Sequence, residues 1–180
     1  MTDKKNIIAI CGSTRASSSN LNLIKAIADL TSDIFTIKIF GGLSEIPHFN
    51  PDLDNDNPPK QVTEFRQLLR QADGILICTP EYAMGVPGTL KNAIDWTVSS
   101  CEFSHKPTAL ITASSVGQKG HASLMETLKI IEAKITDETQ LIISFVKTKV
   151  SNECKITDAT TKIEIEKLLG AFEKMIDEKS

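Results

Sequence analysis

The chain alternates short apolar runs with stretches of helical periodicity. Residues 7–11, 74–78 and 107–113 are apolar almost throughout, as expected of strands covered on both faces. Residues 34–40 and 139–146 are rich in β-branched and aromatic side chains and read as two further strands. Between these runs, apolar positions recur three and four apart. Leu23, Ile24, Ile27 and Leu30 define one face of a helix over 20–30. Val62, Phe65, Leu68 and Leu69 do the same over 60–72, and Ile165, Leu168, Leu169, Phe172 and Ile176 over 158–176. Helices starting near 86–87 and running to 96, and over 121–134, complete the alternation. Asp158 stands where it can cap the last helix, and Pro87 suits a first helical turn, where its missing N–H costs nothing.

Five strands alternating with five helices predict an α/β fold with a doubly wound parallel sheet. Right-handed crossovers favour the flavodoxin-like order 2-1-3-4-5, helices on both faces. The length, 180 residues, fits a single domain over 1–180. The switch point of this order lies between strands one and three, so the loops over 12–19 and 79–86 should face each other where such sheets bind ligands. Residues 46–59 (IPHFNPDLDNDNPP) form a long breaker-rich segment, either a solvated loop or a lid.

Composition narrows the function. A net charge of −3 gives no broad footprint for nucleic acid. No apolar run approaches the roughly 20 residues of a membrane span, and the short run near the N-terminus is a better strand than a signal peptide. A cytoplasmic protein is expected. Cys11, Cys78, Cys101 and Cys154 form no CxxC pair. Cys101, His105 and His121 lack zinc-ligand spacing, so neither disulfide nor metal is expected.

Two loops carry the candidate chemistry. The first, GSTRASSSN over 12–20, follows a strand and opens a helix, whose free N–H groups and dipole suit a phosphate. Its short hydroxyl and amide side chains are joined by Arg15, a fork matched to phosphate oxygens. The second, TPEYAMGVPG over 79–88, has prolines that fix φ and glycines that permit close approach, and suits a planar ligand. Neither GxxxxGK[ST] nor GxGxxG is present, so a P-loop and a dinucleotide fingerprint are both absent. One phosphate at the first loop, a ring at the second and a contact after strand four describe a mononucleotide with a large ring, a description that FMN fits.

Three stretches extend this reading. GSTRASSSN, IPHFNPDLD and TPEYAMGVPGTLKNAIDW resemble the NADPH-dependent FMN reductase family, of the chromate reductase and quinone or azo-reductase kind. The resemblance spans about 7–128. It implies that Ser13, Arg15, Ser18 and Asn20 hold the FMN phosphate. It implies that Pro80, Glu81, Tyr82, Ala83 and Met84 line the isoalloxazine, and that Ser114, Ser115 and Gly117 close the other side. NAD(P)H would be the co-substrate, passing hydride to the flavin, which then serves a small-molecule acceptor such as a quinone, azo compound, metal oxyanion or flavin. No protein acid or base is called for. The chain departs from the family pattern at Ala83 and Gly85, where the family has Asn and Ser, and at Ser123, where it has Arg; Lys119 is a candidate substitute cation. The choice between NADH and NADPH stays open, as does Glu81, which either pairs across an interface or caps a turn.

On a helical wheel Val86, Leu90, Ala93, Ile94, Thr97 and Cys101 share the inward arc, and Trp96 falls outside it. That marks Trp96 either as packed on a neighbouring helix or as part of an interface; the resemblance favours a homodimer or homotetramer. Two other classes fit the same fold: an electron carrier that holds FMN without NAD(P)H turnover, and a flavin-free binding or regulatory domain.

Overall fold

The structure, a computed structural model, describes residues 4–178; residues 1–3 and 179–180, part of the expected domain, lie outside the described residues. The strands are β1 (Lys5–Cys11), β2 (Phe35–Phe40), β3 (Gly74–Thr79), β4 (Thr108–Ser114) and β5 (Gln140–Ser144). The helices are α1 (Ser19–Leu30), α2 (Lys60–Gln71), α3 (Gly88–Asp95), α4 (Gln118–Ile130) and α5 (Ala159–Asp177). The sheet has the predicted order β2-β1-β3-β4-β5, every neighbouring pair parallel.

Alternation along each strand divides the core in two. Ile7, Ala9, Leu76 and Ile111 face Leu23, Ile27, Leu168 and Phe172 beneath α1 and α5. Ile8, Ile10, Ile75 and Ile77 face Val62, Phe65, Leu90 and Leu124 beneath α2, α3 and α4. Burying each such side chain contributes about 1.5–3 kcal/mol, so every central strand is held from both sides. All carboxyl ends of the parallel strands therefore open at one edge.

Element ends depart from the periodicity for local reasons. Pro87, with φ −54° and ψ 135°, is the residue before α3 rather than in its first turn. α4 starts three residues early, at Gln118, because Gly117 turns the chain with φ 101°. β5 stops at Ser144 because Phe145 takes φ 56°. Leu30 is exposed and Leu68 half-buried, while Arg66 is buried on the inward side of α2. α3 ends at Asp95; beyond it Thr97 is still buried as the wheel has it, but Cys101 is exposed, at φ 58°. Asp158 caps α5, accepting from Thr161 N at 2.8 Å.

Trp96 corrects the interface reading. It is 0% exposed, covered by the chain's own 46–54 segment. Its Nε1 donates to the Pro47 carbonyl at 2.8 Å, and Phe49 meets its ring edge-on, centroids 5.1 Å apart. Asn92 adds two ties, accepting from Phe49 N at 2.7 Å and donating to the Pro47 carbonyl at 3.0 Å. Arg66 donates from Nε to the Trp96 carbonyl at 2.8 Å, capping α3, and pairs with Asp54 at 2.7 Å. Ser99 donates to the other Asp54 oxygen at 2.7 Å. The long loop is thus pinned to α3.

Candidate cofactor site

Four loops meet at the carboxyl edge of the sheet around a cavity of about 600 Å³, within the range of small-molecule sites. The loop after β1 is drawn against β3: Gly12 N donates to the Cys78 carbonyl at 2.9 Å. A Cβ on Gly12 would lie 2.3 Å from Thr79 Oγ1, so only glycine permits that approach. Ser13, Arg15, Ser17 and Ser19 line the cavity from this loop. Ser18 and Asn20 line it too, with part of their bonding capacity engaged. Ser18 Oγ caps α1, accepting from Leu21 N at 3.3 Å, and makes a long bond to the Cys11 sulfur at 3.9 Å. Asn20 accepts from the Cys78 thiol at 3.2 Å and donates to the Ala113 carbonyl at 3.0 Å, which leaves one amide hydrogen. Asn20 thereby ties the start of α1 to the ends of β3 and β4.

The loop after β3 presents Pro80, Glu81 and Tyr82 to the cavity. It closes as a two-residue hairpin, Tyr82 and Gly85 exchanging both backbone bonds at 2.9 Å. Its central residues, Ala83 and Met84, have φ 49° and 63°; they form the exposed tip and do not line the cavity. Glu81 caps a turn within the chain, its Oε2 accepting from Gly120 N at 2.6 Å in the first turn of α4. A Cβ on Gly120 would lie 2.8 Å from the Gly85 carbonyl, so the hairpin seats directly on the helix.

From β4 come Ala113, Ser114 and Ser115. Gly117 lies behind them, against Thr112 and Ile142. Lys119 and Ser123 are exposed on α4 and outside the lining. The fourth wall is Phe145, Val146, Lys147, Thr148, Val150 and Asn152, which begins within the 139–146 run expected as a strand and continues past it. The signal was available: the predicted order sets strand five beside strand four, so its loop opens at the same edge. None of residues 46–59 lines the cavity.

The electrostatics favour an anion. The charged lining residues are Arg15, Lys147 and Glu81, and the Glu81 carboxylate is engaged by Gly120. Among the described residues neither Arg15 nor Lys147 enters an ion pair. The first turn of α1 carries no acidic residue. Beneath the first loop, burial raises the Cys11 thiol above its ordinary value and Cys78 well above it, so both stay neutral. His121 is committed elsewhere. Gln140 donates to Asp137 at 2.9 Å, which turns its Oε1 toward His121 Nε2 at 2.8 Å, and Thr112 Oγ1 meets Nδ1 at 2.8 Å. Nε2 therefore carries the proton and Nδ1 accepts.

Residues 5–148 match the sequence profile of the family described as NADPH-dependent FMN reductase. The chain belongs to that family. It is accordingly an oxidoreductase whose cofactor is FMN and whose donor is NAD(P)H. It is 31% identical to an NAD(P)H-dependent FMN reductase of Pseudomonas aeruginosa, over 96% of each chain. It is 28% identical to a quinone reductase of Escherichia coli, over 98% of this chain and 97% of that one. Among solved structures, the flavoenzyme NAD(P)H:(acceptor) oxidoreductase FerB of Paracoccus denitrificans superposes with TM-score 0.86 at 26% identity, over 97% of this chain and 98% of that one. In this family member the cavity suits the cofactor: an unpaired cation, a helix start without acidic residues and four hydroxyls line it, together with Pro80 and Tyr82.

Proposed function

We propose that the protein passes electrons from NAD(P)H, through FMN held in this cavity, to a small planar acceptor of the quinone class. The carrying observation is the cavity itself: an anion-selective end built on Arg15 and α1, continuous with a wall of loops after β3 and β4. FMN supplies reversible two-electron exchange with a nicotinamide. The chain's residues do the rest. Arg15, the α1 amides, the hydroxyls of Ser13 and Ser18 and the spare amide hydrogen of Asn20 hold the phosphate. Pro80, Glu81 and Tyr82 fix one side of the ring through their backbone, with Ala83 and Met84 at the rim. Ser114 and Ser115 close the other side over Gly117. No side chain is assigned a proton-transfer step. The name of the Escherichia coli relative supports a quinone as acceptor.

The test is an absorbance spectrum of purified protein reconstituted with FMN, followed by anaerobic addition of NADH and, separately, NADPH. Flavin bands that bleach with either nucleotide and return with a quinone are the expected result. Bands that bleach only with dithionite would make the protein an electron carrier. Failure to retain FMN would leave a flavin-free binding domain.

A further inference from the structure

The wall supplied by the loop after β5 has no part in holding the flavin as assigned above, yet it is built with care. Phe145 is 67% exposed and lines the cavity. Its backbone is left-handed, φ 56° and ψ 39°, a conformation unfavourable to a bulky aromatic residue. Hydrogen bonds hold it there from both sides. Its N–H donates to the Ser115 carbonyl at 3.3 Å, and its carbonyl accepts from Thr148 N at 3.0 Å and Thr148 Oγ1 at 2.9 Å. The loop is anchored further on, where Asn22 of α1 donates to the Ser151 carbonyl at 3.3 Å. An aromatic ring displayed on a rigid, strained support points to a ligand rather than to packing.

Two residues later, Lys147 adds a second unpaired cation to the same cavity, 132 positions along the chain from Arg15. One phosphate needs the first loop alone. A second cation on a separate loop fits a second anionic ligand, and the donor of the proposed reaction is one: a nicotinamide dinucleotide carries a pyrophosphate between two flat rings. We propose that Phe145 and Lys147 form the docking wall for the dinucleotide, Lys147 meeting its phosphates and Phe145 stacking on one of its rings. This assignment rests on the reductase reading above. It predicts a contact common to NADH and NADPH, because the pyrophosphate is common to both.

Two titrations test it. The first follows quenching of FMN fluorescence by apoprotein; the second follows binding of NAD⁺ and NADP⁺ to FMN-loaded protein by calorimetry, which needs no turnover. Lys147→Glu should weaken both dinucleotides about five- to tenfold, as for loss of a partly exposed charge contact, and flatten their salt dependence. Its FMN affinity should stay within twofold of the parent, and Lys147→Arg should restore dinucleotide binding. Phe145→Asn should weaken the dinucleotides without lowering Tm, because Asn tolerates the left-handed backbone; a merely structural role would move Tm and leave binding alone. Loss of FMN affinity in Lys147→Glu with dinucleotide binding intact would reassign Lys147 to the flavin phosphate and overturn the proposal. No change in either affinity would overturn it as well. A parent protein that binds no FMN would instead overturn the reductase reading, a result visible in the first titration before any variant is made.

Discussion

Ala83 and Met84 occupy both central positions of a hairpin turn that calls for φ above zero twice, a geometry favoured by Asn-Gly sequences. Neither side chain relieves the cost of the left-handed region, roughly 1–2 kcal/mol for an ordinary L-residue. The turn persists because its stem is fixed: Gly120 admits the Gly85 carbonyl and Glu81 binds the Gly120 amide. Ala83→Asn should therefore stabilise the protein by about 1 kcal/mol and raise Tm by about 2–4 °C in a chain of this size, read by calorimetry with and without FMN. An unchanged Tm would mean that the turn is not strained. Glu81→Ala acts in the opposite direction. It removes a charge-assisted bond worth about 1.5–3 kcal/mol and frees the hairpin from α4. Stability should fall by that amount in denaturant titrations, and FMN affinity should fall several-fold in fluorescence titrations.

At the scale of elements, the sequence was most legible where burial is symmetric. Continuous apolar runs marked the three central strands, and three-four spacing marked α1, α2 and α5, since burial on two faces or on one stripe writes itself directly into residue type. It was least legible where irregular backbone covers a helix. The 46–54 segment makes its contacts through carbonyls and through Asn92, Arg66 and Trp96, and no periodicity encodes such ties. Trp96 consequently read as either packed on a neighbouring helix or part of an interface, when its partners are Pro47 and Phe49 of the same chain. This has a direct consequence. Trp96→Phe keeps an aromatic side chain but loses the Nε1 bond and part of the indole's volume; the Pro47 carbonyl retains Asn92 as a donor. The cost should exceed that of the bond alone, about 0.5–1.5 kcal/mol, because the smaller ring leaves a cavity at a fully buried position, with the oligomeric state unchanged by light scattering. A shift in mass would restore Trp96 to an interface. Arg66→Ala should be more severe, because it leaves the half-buried Asp54 carboxylate with Ser99 alone and uncaps α3.

For the whole molecule, neighbouring elements are tied by polar groups that titrate in different ranges. His121 bridges β4 and β5 as a neutral ring, linking Thr112 to Gln140 and through it to Asp137. Burial, partly opposed by the Gln140 bond, lowers its pKa. An unfolded histidine takes its proton near pH 6.5, and the folded one resists until lower pH. The unfolded state thus binds more protons in that window, so stability is complete above about pH 6.5 and declines as pH falls toward the folded value. Asp54 acts lower down. Its bond to Arg66, then that to Ser99, depresses its pKa, so its contribution is present above the unfolded value of about 3.9 and is lost as pH falls further. Glu138, Glu153 and Asp158 are lowered in the same direction and add to that second window. Tm measured across pH should accordingly be level near neutrality, fall once below about 6.5 and fall again below about 3.9. The first decline cannot exceed about 1.4 kcal/mol per pH unit for one proton. His121→Gln should lower Tm at pH 7.5 yet remove the first decline, bringing the two proteins closer together near pH 5.5. Asp54→Asn should keep the first decline and shrink the second without abolishing it, since three other carboxylates remain. A His121→Gln protein that still loses stability between pH 6.5 and 5 would place the acid sensitivity on another group and leave the buried imidazole a spectator.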